Sequence, residues 1–76
     1  MPRLPVVTGR DLIRALGKIG YQPLRQRGSH VILLNQEAER TVPVAVHGNR
    51  PLPSGTLVAI LREVGLSADE LRRLLG

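Results

Sequence analysis

No cysteine occurs in this chain of 76 residues, and its absence limits how the chain can fold. Without cysteine there is neither a disulfide framework nor a thiolate metal site, so the core must be built from aliphatic side chains alone. Leucine, valine and isoleucine recur throughout the sequence, and each one that is fully buried contributes roughly 1.5–3 kcal/mol. A chain of this length buries only about 60% of the surface that it exposes when unfolded. We therefore expect residues 1–76 to form one small domain of modest stability.

The N-terminal segment carries one basic side chain, Arg3, and two prolines, Pro2 and Pro5, but no long apolar run. This composition fits neither a signal peptide nor a membrane span. We expect a cytoplasmic protein without membrane contact.

The spacing of apolar residues predicts a first helix from Gly9 to Ile19. Thr8 is placed to cap its free amides, with Asp11 at the third helical position and Gly20 as a left-handed residue after the end. One face of this helix is apolar and carries Leu12, Ile13, Leu16 and Ile19.

Helical spacing returns near the C-terminus. A second helix carries Leu57, Ile60, Leu61 and Val64 and ends at Gly65. Ser67 and Glu70 have the spacing of a capping box, which predicts a short third helix with its apolar side at Leu71, Leu74 and Leu75.

Between these helices the pattern is extended, with predicted strands at Tyr21–Gln26, His30–Leu34 and Arg40–Val46. Pro23 favours an edge strand, and Pro43 indicates a second edge strand or a bulge. Period two places Val42, Val44 and Val46 on one face of the third strand. The expected fold is α+β, an α-β-β-β-α order with a short extra C-terminal helix, in which the first two helices pack on one face of an antiparallel meander.

The net charge of +5 is confined to the N-terminal part of the chain. Residues 31–76 carry equal numbers of basic and acidic side chains. Residues 1–30 contain one acidic residue, Asp11, and six basic residues: Arg3, Arg10, Arg14, Lys18, Arg25 and Arg27. Arg10, Arg14 and Lys18, spaced by four, form a basic stripe on the first helix. A one-sided basic field suits nucleic acid or an acidic protein. A solvated arginine-rich helix face is the alternative interpretation.

Only two histidines occur, His30 and His47, and histidine is the side chain best suited to proton transfer near neutral pH. His30 follows Arg27-Gly28-Ser29, where glycine allows a turn and leaves room for a phosphate, and Arg25 is close in sequence. This setting is typical of an anion site with a proton-transfer group. The alternative is that His30 merely begins a strand.

Several other chemistries are disfavoured. Ser29 and His30 would point to opposite faces of a strand, which argues against a nucleophilic dyad. Acidic residues without a recognised ligand spacing predict no metal site. Tyr21 is the sole aromatic residue, so stacking cannot be the main mode of nucleic-acid binding. The last two helices resemble a helix-turn-helix superficially, but the basic surplus lies at the other end of the chain.

An ordered set of short motifs covers residues 8–72 and resembles the HicA (YcfA-like) toxin family. These motifs are Asp11–Leu16, Gly20–Tyr21, Arg25–His30, Thr41–Val44, His47–Asn49, Leu52–Leu57, Ile60–Arg62 and Gly65–Ser67. Each motif is weak by itself, whereas the whole set in this order is a specific signal.

The resemblance implies a fold like that of a double-stranded RNA-binding domain and an mRNA-cleaving toxin blocked by a HicB-type antitoxin. It also implies that His30, the histidine of Gly-Ser-His, is the catalytic residue. We expect a metal-independent endoribonuclease without a cofactor, with an RNA-binding set of Arg25, Arg27, Gly28, Ser29, Arg14 and Lys18. A non-catalytic RNA-binding module, and then a DNA-binding partner protein, remain the alternatives.

Two features depart from the family's pattern. Ala45 and Val46 separate the Val-Pro-Val motif from His47, whereas many members run directly into the histidine. Val31–Leu34 is aliphatic where members often carry aromatic or basic residues.

Overall fold

A computed structural model describes residues 3–76; Met1 and Pro2 of the N-terminal segment lie outside the described residues. The elements are α1 (Gly9–Gly17), β1 (Gln22–Arg27), β2 (His30–Asn35), β3 (Arg40–Ala45), α2 (Ser54–Val64) and α3 (Ala68–Leu75). The three strands form one antiparallel sheet in the order β1-β2-β3. The expected α+β fold class and element order are confirmed.

Helix α1 begins with the predicted capping box. The Thr8 hydroxyl accepts the Asp11 N–H, and the Asp11 carboxylate accepts the Thr8 N–H. At the other end of α1, each backbone N–H of residues 18–20 donates to the carbonyl three residues earlier. The Tyr21 N–H then donates to the Leu16 carbonyl, and Gly20, just before it, has a φ of +103°. Gly20 is thus the left-handed residue that the sequence predicts.

The regular part of α1 is two residues shorter than predicted, since it ends at Gly17 rather than Ile19. Ile19 lies in the tighter turn that follows the regular helix, and this residue is 37% exposed. The prediction that Ile19 lines this face is therefore wrong.

The strands lie close to their predicted positions. The first is shifted by one residue, since Tyr21 is buried before β1 begins, and the third ends at Ala45 rather than Val46. Pro23 lies in β1 and Pro43 in β3, which are the two edge strands. A proline is tolerated in an edge strand because the side of the strand that has no neighbour needs no N–H donor for pairing.

The core lies between the sheet and the helices. Its fully buried side chains include Leu33 of the central strand and Leu12, Leu16, Leu57, Leu71, Val42 and Val44. Leu33, Val42 and Val44 therefore mark the helix-covered face of the sheet, and by alternation His30, Ile32 and Leu34 belong to the opposite face.

Two basic side chains join helix ends to other elements. The Lys18 ammonium donates to the Leu74 carbonyl in the last turn of α3, at 2.6 Å, and the Arg40 guanidinium donates to the Glu63 carbonyl in the last turn of α2. Cations at helix C-termini satisfy free carbonyls and interact favourably with the helix dipole. Lys18 and Arg40 therefore have structural contacts.

We expect the two capping boxes to make folding stability depend on acid pH. The backbone N–H of Thr8 lowers the pKa of Asp11 below its ordinary 3.8, and the backbone N–H of Ser67 lowers the pKa of Glu70 below 4.5. A lowered folded-state pKa stabilises the fold above the unfolded-state value, and this stabilisation is lost as pH falls through the folded-state value. Melting temperatures from pH 6 down to about pH 2 should therefore fall less steeply in Asp11→Asn/Glu70→Gln than in the wild type. If the melting temperature of this variant falls with pH as steeply as that of the wild type, the expectation is contradicted. Glu37→Gln, which removes a carboxylate in an exposed turn, is the control.

Candidate active site

The tight turn between β1 and β2 sets the position of His30. Gly28 and Ser29 form this turn, and Arg27 pairs directly with His30 at its base. Gly28 has a φ of +59°, which fits the first central position of a type II′ hairpin turn. Ser29 lies in the turn rather than on a strand, and its carbonyl accepts the Val46 N–H at 2.7 Å. Ser29 thus ties the turn to the end of β3.

The strand register places two arginines on the same face as His30. Arg27 is directly opposite His30, and Arg25 is opposite Ile32, one row further along that face. Directly opposite residues of an antiparallel pair have Cβ atoms about 4.5–5.5 Å apart. All residues of β1 are exposed, and within residues 3–76 neither arginine takes part in an ion pair. His30 is also exposed, so its imidazole and the two guanidinium groups form an accessible cluster.

A groove of about 540 Å3 lies beside His30, between β3 and α2. The sheet side of the groove is formed by His30, Val42, Pro43 and Ala45. The helix side is formed by Gly55, Thr56, Ala59, Ile60 and Glu63. Most of its surface is apolar. Its ionisable groups are the imidazole of His30 and the carboxylate of Glu63.

His30 and Glu63 lie at opposite ends of this groove. Arg40 begins β3 and bonds the Glu63 carbonyl near the end of α2, so β3 and α2 run in opposite directions along the groove. His30 pairs with Ala45 where β3 ends, which is the end at which α2 begins. The first turn of α2 has no side-chain cap, because Pro53 is its N-cap residue. Its free amides are therefore at the His30 end.

The structure brings together only part of the predicted set. Arg25, Arg27, Gly28, Ser29 and His30 are contiguous around the hairpin. Arg14 and Lys18 lie apart from this hairpin, on α1, and none of the four predicted basic residues lines the groove itself.

Each of those two α1 residues has a partner elsewhere. Arg14 pairs with Asp11 at 3.1 Å, and Lys18 holds the end of α3. His47 is exposed in the loop after β3 and is also outside the groove.

The two departures from the family's pattern have structural explanations. Val31–Leu34 is the centre of the middle strand, where Leu33 is fully buried and Val31 packs against the core. Ala45 completes β3 as the partner of His30, and Val46 makes the bond to Ser29. The two extra residues therefore belong to the framework that holds the hairpin.

The helix side of the groove was not identified from the sequence. The apolar spacing of α2 predicts its buried face, but it does not indicate that Thr56, Ala59 and Glu63 line a groove. The available signal was a run of small residues at helical spacing, Gly55, Thr56 and Ala59, which leaves room beside the sheet.

Two features are absent from residues 3–76. No three side chains of His, Asp or Glu are grouped there as a metal site. No helix in the same residues combines the length and apolar character required to cross a membrane.

A protein-family model described as HicA toxin of bacterial toxin-antitoxin matches residues 9–66, from the first residue of α1 to the residue after Gly65. The chain belongs to the HicA toxin family. The resemblance found in the short motifs is thereby confirmed, over a somewhat shorter range. No curated protein and no solved structure gives a significant match. Membership makes this chain a toxin of the toxin–antitoxin type, whose partner is an antitoxin.

Proposed function

We propose that this HicA toxin is an endoribonuclease that cleaves mRNA without a metal ion, with His30 as its catalytic base. The observation that supports this most is the pairing of an exposed His30 with Arg27 across the hairpin, with Arg25 on the same face. A proton acceptor beside two cations is suited to promote attack on a phosphodiester, because the base removes a proton and the cations stabilise the developing negative charge.

In the proposed reaction, His30 takes the proton from a ribose 2′-hydroxyl as its oxygen attacks the adjacent phosphorus. The bond from O2′ to phosphorus forms while the bond from phosphorus to O5′ breaks, which leaves a 2′,3′-cyclic phosphate. The departing O5′ takes a proton from the imidazolium or from water. Arg25 or Arg27 stabilises the negative charge on the phosphoryl oxygens. Attack by water on the phosphorus is the alternative route with the same residues.

The first turn of α2 supports phosphate binding at this end of the groove. Its uncapped amides and the positive end of the helix dipole favour an anion there. Gly28 leaves the approach open, since an added Cβ would meet no atom within 4 Å.

The test is cleavage of labelled RNA by the purified protein with and without EDTA. We expect cleavage at the same rate in both, with cyclic phosphate ends, and no cleavage at a position that carries 2′-deoxyribose. A requirement for added magnesium or zinc would contradict the proposed chemistry. RNA that is bound but left intact would favour a non-catalytic RNA-binding module, and preference for a duplex operator would favour a DNA-binding protein.

We expect RNA affinity to depend on salt through the hairpin arginines. On a double-logarithmic plot of affinity against salt, each phosphate contact that is lost lowers the slope by about 0.7–0.9. Arg25→Gln/Arg27→Gln should therefore flatten the slope by roughly 1.5. Arg14→Gln/Lys18→Gln is the matched pair on α1, and we expect a smaller change because both residues have partners within the fold. Equal slopes for the wild type and the hairpin variant would place the RNA elsewhere.

The remaining proposals concern the biological setting. The antitoxin is of the HicB type, the toxin acts in the cytoplasm, and residues 1–76 form one HicA-like domain. Gly28 and Ser29 belong to the RNA-binding set through the hairpin turn, and Arg14 and Lys18 add a smaller contribution from α1.

A further inference from the structure

The groove beside His30 extends well beyond the atoms that a bound phosphate would contact. We propose that it binds the base of the nucleotide whose 2′-hydroxyl faces His30, and that Glu63 selects guanine there. This inference rests on the proposed ribonuclease function and adds a sequence preference to it.

The walls of the groove suit a planar base. Val42 and Ile60 lie buried at its floor, and Pro43, Ala45 and Ala59 supply accessible apolar surface along its walls. The only aromatic side chain of the toxin, Tyr21, is 3% exposed and cannot stack on RNA. A base at this site must therefore pack against aliphatic side chains, which shield it from water. The groove offers such a surface next to His30.

The length of the groove matches a nucleotide. A helix rises about 1.5 Å per residue, so Thr56 and Glu63 lie about 10 Å apart along α2. This distance is comparable to that from the phosphate of a purine nucleotide to the far edge of its base. A nucleotide with its ribose and phosphate at His30 thus reaches Glu63 with the Watson–Crick edge.

Glu63 provides the selectivity. A carboxylate is an acceptor only, and within residues 3–76 no ion pair or hydrogen bond engages this one. Its backbone is held by the bond from Arg40 to its carbonyl oxygen. Guanine presents two adjacent N–H donors on its Watson–Crick edge, from N1 and N2, which a carboxylate accepts together. The other bases offer one donor group on that edge, and a phosphate would be repelled.

Cleavage-site mapping on RNA of random sequence tests the preference. We expect wild-type cuts to be enriched in guanosine on the 5′ side of the broken bond by at least about tenfold. Glu63→Gln should remove most of this enrichment while cutting continues at other bases. Glu37→Gln removes the same charge at an exposed turn and should keep the preference. Wild-type cuts without guanosine enrichment, or full enrichment in Glu63→Gln, would overturn the assignment.

Binding of guanosine 3′-monophosphate tests the groove without any cleavage. In an NMR titration we expect shifts at Ala59, Thr56 and His30, and at least about tenfold weaker binding in Ala59→Leu, whose larger side chain fills the groove. Gly17→Leu adds a leucine to α1, where a new Cβ meets no atom within 4 Å, and should bind like the wild type. Circular dichroism melts check that each variant is folded.

The two proposals can fail separately. A toxin that binds the nucleotide in the groove but leaves RNA intact would contradict the ribonuclease function and retain the base site. A toxin that cuts RNA, with neither guanosine preference nor shifts at groove residues, would contradict the base site and retain the ribonuclease function.

Discussion

Replacing His30 by alanine should lower RNA cleavage by about 100- to 10,000-fold, the usual contribution of a positioned general base or acid. His30 is exposed at the start of β2, and its backbone pairing with Arg27 and Ala45 does not depend on the imidazole. The variant should therefore remain folded and lose growth inhibition. The measurement is the single-turnover cleavage rate of a defined RNA.

The matched control is His47→Ala. His47 is the other histidine of the chain and is also exposed, but it lies in the loop after β3 and outside the groove. We expect its cleavage rate to stay within a few-fold of wild type. A pull-down with the antitoxin and a thermal melt should give wild-type results for both variants. A folded His30→Ala protein that cuts RNA at the wild-type rate would show that the catalytic base is another residue.

Local sequence signals were sufficient to place the elements of this fold. Two capping boxes begin α1 and α3, and Gly20 and Gly65 have the positive φ values that end the first two helices. These signals depend on neighbouring residues only, so no tertiary information is needed to read them. Where the prediction failed, at Ile19, the last turn of α1 tightened before the chain entered the sheet.

The site was predictable in its hairpin but not in its groove. Arg25, Arg27 and His30 are close in sequence, so their proximity follows from a turn at Gly28. The wall supplied by Ala59 and Glu63 depends on the direction in which α2 crosses the edge of β3, which is a long-range contact. Lys18 was assigned to the basic stripe, and its bond to the Leu74 carbonyl likewise depends on the packing of α3 against α1.

A third long-range contact, between α1 and the end of β3, leaves no room for a side chain at Gly9. Gly9 is buried as the first residue of α1, and an added Cβ would clash with the carbonyl oxygen of Ala45. The same Cβ would lie 3.0 Å from the Ala45 carbonyl carbon and 3.2 Å from the Val46 Cα. All three neighbours are backbone atoms, so no side chain can rotate away. Gly9→Ala must push α1 away from β3.

We expect Gly9→Ala to lower the free energy of unfolding by about 1–3 kcal/mol or more, the usual cost of forcing extra volume into a packed site. Domains have only about 0.05–0.15 kcal/mol of stability per residue, so the loss is a large fraction of the total. Helix propensity alone would predict the opposite sign, because alanine is favoured over glycine by about 1 kcal/mol in a helix.

Gly17→Ala separates these two effects. Gly17 is the last residue of α1, and a Cβ added there meets no atom within 4 Å, so propensity should act alone and stabilise the fold by up to about 1 kcal/mol. The midpoints of urea unfolding of the two variants should therefore shift in opposite directions from that of the wild type, lower for Gly9→Ala and higher for Gly17→Ala. A stability of Gly9→Ala equal to or above that of wild type would mean that α1 does not approach Ala45 this closely. Because Ala45 is the strand partner of His30, Gly9→Ala should also slow RNA cleavage under conditions in which it remains folded.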